Sequence, residues 1–124
     1  MKKRLLILTL IFTLTTTCIT SAFSQINQNF IVMVKYKTQP GKESLALSSL
    51  KSLVEKVKKE PNYVNIIIHV DPIDKSNILL YEQWSSEEYY KGEHMITPHL
   101  QQFMTDAKTF LGGPPEITYW KIAD

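Results

Sequence analysis

The order in which two kinds of hydrophobic periodicity follow each other is the feature that most restricts the fold of this chain. Four segments show the period-two alternation of strands: residues 30–37, 63–70, 78–84 and 116–122. Amphipathic-helix periodicity occurs in residues 42–60 and 98–111, and a short helix is predicted for residues 86–91. This order predicts a ferredoxin-like βαββαβ domain of the α+β class, with an antiparallel sheet.

Two capping patterns predict where the later helices begin. Ser85 is followed three residues later by Glu88, which is a capping-box pattern and predicts the start of the short helix. Thr97 is followed by Pro98, which predicts that the second long helix starts with the threonine as its cap and the proline at its first position.

The first 24 residues have the composition of a secretory signal peptide. Met1–Arg4 carries three basic residues, Leu5–Leu14 is mostly apolar, and Ala22-Phe23-Ser24 has the small-x-small pattern of a cleavage site. The apolar run is shorter than the roughly 20 residues that span a bilayer. We therefore expect cleavage after Ser24, export to the periplasm or the medium, and no stable membrane insertion afterwards. A lipoprotein acylated at Cys18 is the alternative, but the residues before it lack the usual aliphatic side chain.

Cleavage would change the charge balance and hence the expected partners. The whole chain has 14 basic and 12 acidic residues, and residues 1–24 hold three of the basic ones and none of the acidic ones. Residues 25–124 would then form one domain with 11 basic and 12 acidic residues and a net charge of −1. This balance argues against nucleic-acid binding. Because Cys18 is the only cysteine, the domain would also lack disulfides and thiol chemistry.

The segment Leu79–His99 carries the residues best suited to chemistry. It holds two of the three histidines and one of the two tryptophans. Strand alternation places Leu80, Glu82 and Trp84 on one face, so that a carboxyl group and a large amphipathic ring share an apolar environment. This combination predicts the wall of a pocket.

Other chemical motifs are absent from the sequence. It has no metal triad, phosphate loop, nucleophile elbow or redox cysteine pair. Asp71 and Asp74 lack a third acid at the spacing of a calcium loop. We therefore expect neither a metal nor a cofactor. His69, on a partly apolar strand face, is either a ligand or base, or a hydrogen-bonded histidine of a core or an interface.

Helices on one side of the predicted sheet leave its other side uncovered. Ile31, Met33 and Ile67 are expected on that uncovered face, with Tyr81 or Trp120 as further candidates. This is more apolar surface than a small domain leaves in water. We expect a homodimer in which the two sheets face each other.

A set of short motifs spans nearly the whole predicted mature chain. In order, they are Tyr36-Lys37 with Pro40-Gly41-Lys42-Glu43, Glu60-Pro61, Glu82-x-Trp84, His94 with Thr97-Pro98-His99, and Leu111 with Pro114-Pro115-Glu116. Together they resemble the antibiotic biosynthesis monooxygenase family of small dimeric α+β barrel proteins. The resemblance implies the α+β barrel fold. The family includes cofactor-independent quinol and polyketide monooxygenases, and also isomerases, haem-degrading enzymes and members with no known activity. The resemblance therefore does not specify a reaction.

The haem-degrading branch of the family implies two residues that this chain lacks. These are an asparagine on the first strand and an iron-ligating histidine inside the second long helix. Val34 and Met104 occupy those places to within one residue, and the neighbouring Phe103 is no better a ligand. Haem degradation is therefore disfavoured.

The candidate site residues are interpreted from their predicted positions. His94, on the link between two helices, is a candidate general base that deprotonates a phenolic or quinol substrate. His99, at the second helical position, is expected to stay neutral because unpaired backbone N–H groups disfavour an imidazolium. Trp84 and Tyr81 are candidates for ring contacts and a phenolic hydrogen bond, and Glu82 is a candidate for orienting a histidine or the tryptophan N–H.

Each candidate also has a purely structural interpretation, so two functions stay open, with haem or other tetrapyrrole handling as a less favoured third. The first is an exported, cofactor-independent monooxygenase that acts on an aromatic or quinone-like small molecule. The second is a non-catalytic dimeric module that binds a hydrophobic small molecule. His94→Ala is expected to leave folding nearly intact, because a linker residue makes few core contacts.

Overall fold

The computed structural model describes residues 30–123, which form one sheet with helices on one of its faces. The strands are β1 (Phe30–Lys37), β2 (Tyr63–Val70), β3 (Asn77–Trp84) and β4 (Glu116–Lys121). The helices are α1 (Glu43–Val57), α2 (Glu87–Lys91) and α3 (Pro98–Ala107), with a single 3₁₀ turn at His94–Ile96. The predicted element order and α+β class are confirmed. The predicted signal peptide and the boundary at Gln25 lie outside the described residues.

All neighbouring strands of the sheet are antiparallel, in the order β2-β3-β1-β4. Val32 of the central strand β1 lies opposite Glu82 of β3 on one side and Tyr119 of β4 on the other. Residues that lie opposite each other share a face of the sheet. Glu82 therefore projects from the same face as Val32, a face that is buried against the helices.

The helices bury most of the apolar side chains that the sequence pattern selected. Five stripe residues of α1 are buried: Ala46, Leu50, Leu53, Val54 and Val57. In α3, Leu100, Phe103 and Ala107 are buried, whereas Met104 is 49% exposed. The helix ends at Ala107 and not at Leu111, because the chain turns so that Phe110 fills the core and Leu111 pairs with Thr38 at the end of β1.

The starts of the two later helices differ in detail from the capping prediction. Ser86, and not Ser85, caps α2 by accepting the backbone N–H three residues later at 3.0 Å. The Ser85 hydroxyl instead donates to Oδ1 of Asn62 at 3.0 Å, which ties β3 to the turn after α1. Thr97 does occupy the N-cap position of α3, but its hydroxyl donates to the carbonyl of His94 at 2.9 Å.

The face of the sheet away from the helices exposes large apolar side chains. Ile67 is 46% exposed and Trp120 is 57% exposed, although Ile31 on the same face is buried. The edge strand β4 is exposed along its whole length. Among residues 30–123, no helix is long and apolar enough to cross a membrane.

Candidate active site

A largely apolar cavity of about 500 Å³ lies between the sheet and the helices. Its apolar walls include Leu53, Val57, Leu80, Leu100 and Phe103, and the segment from Gly112 to Pro115 forms part of its rim. Five polar side chains also line it: Tyr36, Glu82, Tyr90, His94 and Lys108. This volume and this small number of polar groups are typical of a site for a small organic molecule.

The polar side chains of the cavity leave hydrogen-bonding atoms available to a ligand. Neither the hydroxyls of Tyr36 and Tyr90 nor Nε2 of His94 bonds to another described residue. Among the described residues, only the hydroxyl of Thr38 is both fully buried and without a hydrogen bond. The two hydroxyls and the imidazole nitrogen therefore remain open to the cavity.

Glu82 is a buried acid that holds Trp84 in place. Its carboxyl group accepts a hydrogen bond from the Trp84 indole N–H at 2.9 Å. Burial raises the pKa of Glu82 to about 7, although the hydrogen bond from Trp84 acts in the opposite direction. Glu82 therefore keeps its proton to a higher pH than an exposed glutamate does.

The raised pKa of Glu82 predicts that its ionisation destabilises the fold. The folded protein holds this proton up to about pH 7, whereas the unfolded chain loses it near the ordinary value of 4.5. Stability should therefore fall as the pH rises between these values. Compared with the wild type, Glu82→Gln should be more stable by up to about 3 kcal/mol at about pH 8 and almost unchanged at about pH 4.

Urea unfolding of both proteins at the two pH values measures this difference. Glu88→Gln, which neutralises an exposed acid on α2, is the matched control and should show no comparable pH dependence. If Glu82→Gln changes the free energy of unfolding by the same amount at both pH values, the raised pKa assigned to Glu82 is contradicted.

Trp84 supports the cavity from behind. It is fully buried and does not itself line the cavity. Its ring packs against that of His94, with centroids 4.7 Å apart, and against that of Tyr90 at 5.5 Å. Trp84 was predicted to form a pocket wall. It instead fixes the positions of His94 and Tyr90, which do line the cavity.

His94 lies in the core, and this contradicts the expectation that a linker histidine makes few core contacts. The 3₁₀ turn folds the link inward, so that the ring stacks on Tyr90 with centroids 5.0 Å apart. Its Nδ1 lies 2.9 Å from one carboxylate oxygen of Glu60 and 3.1 Å from the other. Burial lowers the pKa of His94, and the Glu60 carboxylate opposes that effect.

Glu60 is the residue at the centre of the site that the sequence analysis did not select. Helix α1 ends at Val57. The backbone N–H of Glu60 then donates to the Val57 carbonyl and closes a turn. The Glu60 side chain points inward and is 5% exposed. The carboxylate accepts hydrogen bonds from the Tyr89 hydroxyl at 2.9 Å and from both His94 and His99. The sequence feature that could have indicated Glu60 is an acid just past a helix C-terminus, where the helix dipole disfavours negative charge.

His99 joins the site only through Glu60. Its Nε2 lies 2.7 Å from Oε2 of the carboxylate, and its side chain is 19% exposed. It lines a separate polar cleft between α1 and α3, together with residues that include Ser52, Lys56 and Asp106. His94 and His99 thus both bond to one buried carboxylate.

Tyr81 lies on the wrong face of the sheet to contact a ligand in this cavity. It is opposite Met33 and Ile67 on the face away from the helices, because strand alternation separates it from Glu82. Tyr36 and Tyr90 provide the phenolic hydroxyls of the cavity instead. Burial raises the pKa of both, and the nearby Glu82 raises it further, so both hydroxyls stay protonated and able to donate.

The described residues offer no obvious metal site. Between residues 30 and 123, no group of three histidine, cysteine, aspartate or glutamate side chains is arranged to hold a metal ion. At the two positions where haem-degrading relatives would carry functional residues, Val34 is buried in the core and Met104 lies at the cavity.

Comparison with known proteins identifies the family. Residues 29–106 match the sequence profile of the family named antibiotic biosynthesis monooxygenase. This match covers more than half of the chain. The protein therefore belongs to the antibiotic biosynthesis monooxygenase family.

The chain is also similar in sequence to an uncharacterised protein and in fold to solved structures. An uncharacterised protein of Synechocystis sp. is 23% identical over 119 residues, which cover 96% of this chain and 80% of that protein. The crystal structure of PA3566 from Pseudomonas aeruginosa aligns with a TM-score of 0.73 at 18% identity, covering 80% of this chain and 98% of that one. A structure named antibiotic biosynthesis monooxygenase aligns with a TM-score of 0.70 at 18% identity, covering 77% and 99%.

Proposed function

We propose that the cavity binds a small aromatic molecule with an ionisable hydroxyl, such as a phenol or quinol, and that the protein is a monooxygenase that needs no metal or organic cofactor. The observation that carries this proposal is that three hydrogen-bonding groups line one apolar cavity. These groups are Nε2 of His94 and the hydroxyls of Tyr36 and Tyr90. The apolar walls suit an aromatic ring, and the three polar groups suit its oxygen.

His94 is the general base in this proposal. Its Nδ1–H donates to the Glu60 carboxylate, which leaves Nε2, on a ring that lines the cavity, with a lone pair that can accept a proton. Burial lowers the pKa of His94 and so keeps it neutral and able to accept a proton at neutral pH. The hydroxyls of Tyr36 and Tyr90 are donors for the phenolate oxygen that forms.

The substrate supplies the electrons for the reaction. The phenolate passes one electron to dioxygen, and the resulting radical pair forms a C–O bond at a ring carbon that carries hydrogen. His94 returns its proton to the peroxide. The C–H and O–O bonds then break, which leaves a quinone with one oxygen atom from dioxygen and releases the other oxygen atom as water.

Oxygen uptake tests this proposal. Purified protein is incubated with a panel of phenols and quinols in labelled dioxygen, and the expected result is uptake with one labelled atom in the product. Binding of the panel compounds without uptake would favour the second function, a non-catalytic module for hydrophobic small molecules, which the apolar walls of the cavity also suit.

We further propose that the protein is a homodimer. The row of Ile67, Tyr81 and Met33 across the open face of the sheet, with the exposed Trp120, is the apolar surface that a second copy would cover. Light scattering at micromolar concentration is expected to give about twice the mass of the mature chain. A monomeric mass for a well-folded protein would contradict this prediction.

The composition of residues 1–24 supports a proposal of export to the periplasm or the medium. We expect the mature protein to begin at or near Gln25. N-terminal sequencing tests this expectation, and retention of Met1 or an acyl group on Cys18 would rule it out.

A further inference from the structure

The carboxylate of Glu60 connects two histidines that face different spaces. His94 lies at the apolar cavity, and its Nδ1 is 2.9 Å from Oε1 of Glu60. His99 faces the polar outer cleft between α1 and α3, and its Nε2 is 2.7 Å from Oε2 of the same carboxylate. The outer cleft is a different space from the cavity, although Leu53 and Phe103 line both.

The charge of the buried Glu60 carboxylate requires a positive partner. An ionised carboxylate with a 5% exposed side chain is unfavourable unless it is paired. Of its three donors, the Tyr89 hydroxyl is neutral, and burial disfavours a charge on His94. His99 is more exposed than His94 and makes the shortest of these hydrogen bonds, so it is the histidine of the pair that solvent can reach.

Contrary to the neutral state expected from its position at the start of α3, we propose that His99 carries the positive charge that faces Glu60 and is the proton-release residue of the cavity. It gives a proton from Nδ1 to solvent in the outer cleft when His94 takes one from a bound phenol. One proton leaves the phenol oxygen for Nε2 of His94, and one leaves His99 for water. Glu60 faces a single positive charge throughout, and no proton has to cross its carboxylate. The exchange reverses when His94 gives its proton back. This inference rests on the proposed function, because it needs a cavity ligand that ionises.

Other ionisable groups surround the two imidazoles. Those packed near His94 are Glu82 on β3 and Tyr89 and Tyr90 on α2. Those that share the outer cleft with His99 are Lys56 on α1 and Asp106 on α3. Both cleft residues are exposed, so solvent screens their charges more strongly than it screens the buried carboxylate. The two histidines therefore interact mainly with Glu60 and with each other.

Histidine NMR titration tests the coupling without any substrate. The chain has three histidines, and the exposed His69 on β2 serves as the reference outside the cluster. His99→Gln keeps a side-chain N–H for Glu60 but removes the competing charge. We expect the titration midpoint of His94 to rise by about one pH unit in this variant, because the carboxylate then has only His94 as a cationic partner. Lys56→Gln removes a positive charge from the same cleft and should leave the midpoint unchanged.

An unchanged His94 midpoint in a folded His99→Gln protein would overturn the proposal. A measurement on the wild type decides the same question if that variant does not fold. At about pH 6, binding of 4-nitrophenol should produce the absorbance of its phenolate and release about one proton per molecule into weakly buffered solution. Phenolate absorbance without proton release would overturn the proposal. Absence of 4-nitrophenol binding would instead count against the proposed function, and the His94 midpoint would still decide whether the histidines are coupled.

Discussion

Replacing His94 by asparagine is expected to lower the turnover of a phenolic or quinol substrate by about 10²-fold or more, with the protein still folded. The amide nitrogen of asparagine lies near the place of Nδ1 and can still donate to Glu60. Nothing in the variant replaces Nε2, so the proton acceptor of the cavity is lost. Oxygen uptake with any active compound of the panel measures the loss, and thermal unfolding of the same sample checks the fold.

Two further variants separate the loss of the base from the loss of packing. His94→Ala removes the donor to a buried carboxylate as well as the ring between Trp84 and Tyr90, so we expect it to lose stability in addition to turnover. His69→Asn is the matched control, because His69 is exposed on β2 and does not line the cavity. Undiminished turnover in a folded His94→Asn protein would show that the base is another group.

Trp84→Ala is expected to lower the free energy of unfolding by about 3 to 5 kcal/mol. The ring is fully buried among three tyrosines and His94, and its N–H is the hydrogen-bond donor to the buried Glu82. A small domain has a total stability of only about 5 to 15 kcal/mol, so this single change removes a large part of it. We expect calorimetry to show that the unfolding temperature of the variant is lower by more than about 10 °C.

Trp84→Phe is the control that separates the loss of ring volume in Trp84→Ala from the loss of the indole N–H. Phenylalanine keeps an aromatic ring against His94 but lacks the N–H that donates to Glu82. We expect a smaller loss than in Trp84→Ala, and a larger loss at about pH 8 than at about pH 4, because only the ionised carboxylate strongly needs that donor. If Trp84→Ala is as stable as the wild type, the ring cannot have the supporting role assigned to it here.

Several features of the site follow from residue patterns that act over short distances. Strand alternation places Glu82 and Trp84 on one face, and the structure confirms this together with the hydrogen bond between them. The same alternation places Tyr36 on the face of β1 that it shares with the buried Val32 and Val34, but alternation does not indicate that Tyr36 lines the cavity. Such patterns are predictable because each follows from the geometry of a single strand or helix.

The cluster around Glu60 was not predictable in the same way. Glu60 contacts His94, which is 34 residues away in sequence, and His99, which is 39 residues away. No periodicity relates these positions. The contacts exist because α1 stops at Val57, the following turn points the carboxylate inward, and the packing of α3 against α1 brings its first turn to the same place.

By itself, the sequence determined the order of strands and helices, the faces that they bury, and the residues that share each face, because these depend on periodicity along the chain. Only the tertiary structure decided which of those faces encloses a cavity. It placed Tyr81 outside and Tyr36 and Tyr90 inside, and it put a buried carboxylate between two histidines with different exposure. The physical reason is that solvent access and charge pairing depend on segments that are distant in sequence and meet only when the helices pack on the sheet.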